Sequence, residues 1–113
     1  MIYSPVYQVR FTKFIETKDF RHRLQFKERL PFIPFVGMIL EGYTEQPVSD
    51  MQIEKIAWDG KHHIFECILH SKKSDVTKEE LQKIYGSRWT FDGVPLTMEA
   101  LSAYNAKKMI GCN

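Results

Sequence analysis

The stretch YQVRFTKFIETKDFRHRLQFKERL, residues 7 to 30, decides the reading of the fold. Apolar and polar side chains alternate from Tyr7 to Ile15 and again from Phe20 to Arg29. Successive side chains of a strand point to opposite faces, so a period of two predicts two half-buried strands. The polar run Glu16-Thr17-Lys18-Asp19 between them suits a four-residue hairpin loop, which sets Ile15 opposite Phe20, Phe11 opposite Leu24 and Val9 opposite Phe26. Both faces then agree with one register. Tyr7, Val9, Phe11, Phe20, Leu24 and Phe26 share one side, and Gln8, Arg10, Thr12, Arg21, Arg23, Gln25, Lys27 and Arg29 share the other.

Charge concentrates on this ribbon. Residues 1 to 29 hold seven Lys and Arg against three acids, a balance of +4, while the remainder holds nine against eleven, or −2. Five of those cations, Arg10, Arg21, Arg23, Lys27 and Arg29, fall on the polar face, where phosphates would meet them side by side. They form the candidate polyanion site. Phe14 is the one aromatic on that face, so binding there would be electrostatic and indifferent to base sequence.

Downstream, Pro31 and Pro34 in RLPFIPF cannot donate ladder hydrogen bonds, and a third strand is expected from Phe35 to Tyr43 with a bend at Gly37. TEQPVSD reads as a loop. Met51–Trp58 and His62–His70 read as two further strands turned at Asp59-Gly60, with Trp58 opposite His63, Ile56 opposite Phe65 and Lys55 opposite Glu66. Trp58, Ile56, Phe65, Cys67 and Leu69 then share one face. Met51, Ile53, Ala57, Ile64 and Ile68 fall on the reverse, which calls for cover by a C-terminal helix or a second subunit.

After SKKSD the period changes. Thr77 is placed to cap a helix ending near Tyr85, with Glu80 completing a capping box and Gly86 beyond its end. Arg88–Asp92 suits a short strand, and Thr97 caps a last helix through Lys108. The expectation is one α+β domain spanning residues 1 to 113. Its architecture is a curved antiparallel sheet or small, partly open β-barrel of five to six strands, with two short C-terminal helices.

The residues with the richest chemistry lie in WDGKHHIFECILH, residues 58 to 70. On a strand His62 and His70 lie eight positions apart at about 3.3 Å each, whereas zinc holds its ligands at about 2.0 to 2.3 Å. His63 and Cys67 point to the other face. The spacing is that of a strand and not of a metal site. Cys67 among Phe65 and Leu69 reads as a packing residue, and Cys112 as a free thiol. Glu79 and Glu80 adjoin a helix start, where the dipole favours acids. Nucleophile-elbow and phosphate-cradling glycine motifs are lacking, and no cofactor or metal is expected.

The function expected from these patterns is a non-catalytic binding or assembly module, its partner a protein or a second copy of itself. Nucleic acid or another polyanion on the basic ribbon is one alternative. A small enzyme is the other, with a pocket between sheet and C-terminal helices where Trp58, Trp89 or Tyr104 would line a cleft. No stretch approaches the ~20 apolar residues of a membrane span, and MIYSPVYQVRF has no run of the length a secretory signal needs. The chain is therefore expected in the cytoplasm.

Overall fold

A computed structural model of the chain describes residues 5–17 and 20–95. These comprise β1 (Tyr7–Glu16), β2 (Phe20–Leu30), β3 (Ile53–Asp59), β4 (Ile64–Leu69), the two-residue β5 (Lys72–Lys73), α1 (Lys78–Tyr85) and β6 (Thr90–Pro95). The strands form one sheet in the order β3-β4-β1-β2-β6, with β5 following β4 alongside β1.

The sheet is α+β in character but not the antiparallel meander expected. It is mixed and unclosed, because β1 runs parallel to β4 and β5. The cause lies between β2 and β3. Pro31 and Pro34 end the pairing of β2 and keep residues 31–34 out of the ladder, and the third strand expected at Phe35–Tyr43 shrinks to a single bridge between Ile39 and Gln52. Instead of turning back beside β2, the chain crosses one face of the sheet and begins β3 on the far side of β4. Of the two helices expected, α1 is present and the one from Thr97 to Lys108 lies outside the described residues.

The β1–β2 hairpin forms with its faces as expected and its register shifted by two. Phe11 stands opposite Phe26 and Ile15 opposite His22. The Thr17 N–H donates to Phe20 O at 2.8 Å, so the chain turns more tightly than a loop over Glu16–Asp19 would. A shift of two keeps each side chain on its own face. Val9, Phe11, Leu24 and Phe26 are accordingly buried together.

The β3–β4 hairpin repeats the pattern, with Trp58 opposite Phe65 and Ile56 opposite Cys67. Lys55 faces Ile68, so the expected Lys55–Glu66 pair is not made. A bulge between Ile53 and Lys55 then rotates the strand, turning Met51 and Ile53 from the reverse face into the core. That apolar pair needs no further cover. β6 begins at Thr90 and pairs β2 as far as Pro95.

The core lies on one face, beneath a second layer made from residues 31–52 and α1. Leu40, Tyr43, Leu81, Tyr85 and Trp89 pack down onto Phe11, Phe26 and their neighbours. Phe26 is the hub, its ring 5.1 Å from Phe11, 5.2 Å from Tyr43 and 4.4 Å edge-on to Trp89. The Trp89 indole N–H donates to Tyr43 O at 2.9 Å, satisfying its one polar atom and tying the crossing segment to the end of α1. Thr77 caps α1 by accepting from the Glu80 N–H at 3.2 Å, and Gly86 leaves it at φ 91°. Among the described residues no helix is long and apolar enough to cross a membrane.

Candidate functional site

The five ribbon cations do share the outer face of β1 and β2, but their surroundings differ. Arg10 lies between two acids, its guanidinium bonded to Glu66 and 3.2 Å from Asp59. Glu66 also accepts from Thr12 Oγ1 at 3.1 Å, and Thr12 accepts from Gln25 Nε2 at 3.0 Å. The result is a polar chain across four strands with more carboxylate than cation. Arg23 pairs with Asp92 at 2.8 Å on neighbouring β6. The Arg21 guanidinium stacks 4.4 Å above the Phe14 ring, and Lys27 and Arg29 border a shallow hollow with Gln8, Glu28 and Ile64.

The histidine, glutamate and cysteine side chains of residues 58–70 go to separate places. His62 Nδ1 lies 2.8 Å from Asp59, and this imidazole, with Arg10 beyond it, holds the Asp59 carboxyl down at about 2. His63 stands edge-on to Trp58 in the left-handed region, at φ 53°. Cys67 is fully buried, and burial pushes its thiol up to about 11. His70 lies 3.3 Å from Glu54.

Two polar residues sit where the apolar face was expected. Lys13 is buried between Phe11 and Ile15, its ammonium donating to Asp50 O at 2.6 Å and His70 O at 2.9 Å. Burial pulls its pKa down to about 8, opposed by nearby Asp50 and aided by Lys72. His22 is buried opposite Ile15 with its pKa lowered, by burial first and Lys78 second. Both signals were present in the alternation, since Lys13 keeps step with Val9 and Phe11, and His22 with Leu24.

The feature that sequence periodicity did not expose is the crossing segment. Among the described residues eight large apolar side chains are exposed, and Phe32, Ile33, Phe35, Val36 and Ile39 account for five of them. Phe35, Val36 and Ile39 are 60%, 61% and 62% exposed. This stretch is nonetheless firmly held. The Met38 N–H donates to Phe35 O at 3.2 Å, closing a turn whose third residue, Gly37, takes φ 94°, a value glycine tolerates best. Gly37 and Leu40 donate to Ile53 O and Met51 O at 2.8 and 2.9 Å, Ile53 donates back to Met38 O at 2.8 Å, and Gln52 Nε2 reaches Gly37 O at 3.0 Å. Met38 and Leu40 pack inward while Phe35 and Val36 are held out in solvent.

Between the sheet and α1 lies a groove of about 200 Å³ bordered by Ile15, Lys72, Leu81 and Tyr85. Of the aromatic groups expected to line such a cleft, the two that are described are elsewhere. Trp89 is packed in the core, Trp58 is exposed at the far end of β3, and Tyr104 lies outside the described residues. Comparison with protein-family models, with curated proteins and with solved structures finds no match to this chain.

Proposed function

We propose that the protein is a non-catalytic binding or assembly module whose contact surface is the Phe32–Ile39 segment. One observation carries this reading: apolar side chains held in water by a hydrogen-bonded turn, on a domain whose core is already filled by other residues. Exposed apolar clusters on small domains mark contact surfaces, and a surface fixed in advance loses little conformational entropy when it binds. The groove beneath α1 is smaller than the ~300 to 1,000 Å³ of ordinary small-molecule pockets, so it is a poor candidate for the cleft of a small enzyme. The ribbon ranks below the loop as a contact surface, because acids accompany Arg10 and Arg23.

The test is site-specific photo-crosslinking in the protein's native cells. A photoreactive phenylalanine analogue at Val36 is expected to give discrete adducts, and the same analogue at Gln8 on the outer face none. Adducts from Gln8 alone would overturn the assignment.

A further inference from the structure

Resting on that reading, we infer that the occupant of this surface is a second copy of the same chain, docked about a two-fold axis. The apolar surface extends beyond the loop. Trp58, also exposed, packs at 5.0 Å on Phe65, which in turn lies 6.3 Å from Tyr7. The start of the crossing segment and the Trp58 corner thus lie at the same end of the sheet, while Gly37–Leu40 lie beside Met51–Ile53 at the start of β3.

Area favours a second copy. With fully exposed side chains of this size offering about 150 to 250 Å² and roughly half of each exposed, the five loop residues and Trp58 present on the order of 600 Å². A stable interface takes about 800 Å² from each partner, and the largest apolar patch of a monomer is ordinarily about 300 to 600 Å². Charge points the same way. A two-fold axis sets a surface against itself, so every charge near it meets its own sign. Residues 31 to 40 contain no Asp, Glu, Lys or Arg, which leaves nothing there to repel.

Sedimentation velocity on the purified full chain, run up to roughly 100 µM, is the test. A dimer is expected whose dissociation constant rises at least about tenfold on Val36→Glu, which sets like charges across the axis, and on the milder Phe35→Ser. Lys27→Glu on the outer face is expected to leave it intact. A dimer indifferent to both loop substitutions would overturn the assignment of the surface. A monomer throughout would overturn self-association. Adducts from position 36 to other proteins would in that case leave the contact-surface reading standing, and their absence would end both. A monomer that sediments with phosphatidylcholine and phosphatidylserine vesicles would give the surface to lipid instead, and that too overturns the proposal.

Discussion

Lys13 takes an inward position between Phe11 and Ile15, and its amine ties the Asp50 and His70 carbonyls together across the floor of the fold. With its pKa at about 8 in the folded protein and 10.5 as the reference, the unfolded chain binds more protons between those values. Stability from this group therefore rises as pH climbs from about 8 toward 10.5. Lys13→Met removes that rise. The unfolding free energy of the native protein minus that of the variant is expected to rise in urea titrations from pH ~7 to pH ~10, and a constant difference would contradict the assignment. Cys67 tells against reactivity at the same scale, being buried and held as a thiol. In a Cys112→Ser background it is expected to react with a thiol reagent only as fast as the protein opens. Lys13 keeps step with Val9 and Phe11, yet the inner face was read without it, because lysine is almost never fully buried without partners. Its two carbonyl acceptors come from segments 37 and 57 positions away, which local pattern does not connect.

Among the elements, face was legible in the sequence and register was not. A strand shifted by two residues keeps the same side chains inward, so burial patterning pointed to the right faces for the first hairpin and, beyond the Ile53–Lys55 bulge, for the second, while leaving Phe11 and Trp58 two positions from their true partners. Turn geometry settles register, and the tight closure at Thr17–Phe20 was not readable from a run of four polar residues. The bulge at Ile53–Lys55 reversed the inferred facing of Met51 and Ile53 because it inserts one residue where a period of two has none. These corrections rank the core. Phe26, at the centre of the aromatic stack, is expected to cost about 3 to 5 kcal/mol on change to alanine. Phe65, only partly buried beside exposed Trp58, is expected to cost clearly less. Urea midpoints of the two variants decide the order, and equal losses would mean that the Phe65 corner is core.

For the molecule as a whole, two surfaces are candidates for contact: a basic face whose charge is partly cancelled and an apolar segment held in water. Arg10 and Arg23 have acids beside them, so Arg21, Lys27 and Arg29 remain to meet a polyanion. At about 0.7 to 0.9 per phosphate contact, oligonucleotide affinity is expected to fall with a logarithmic salt slope of no more than about 2 to 3, with weak binding at physiological salt. A steeper slope that Arg21→Glu with Arg23→Glu abolishes would return the ribbon to first place. The sheet's order and the crossing segment were hidden for one physical reason. Prolines break the strand pattern, and periodicity does not say where an irregular chain then goes. The central claim is that Phe35 and Val36 serve contact and not the fold. It is tested most directly by the unfolding free energy of the Phe35→Ser, Val36→Ser double variant, measured in urea at high dilution where association does not contribute. A value within about 0.5 kcal/mol of the unaltered protein is expected, as for exposed positions generally, whereas a loss of about 2 kcal/mol or more would place these side chains in the core and contradict the account.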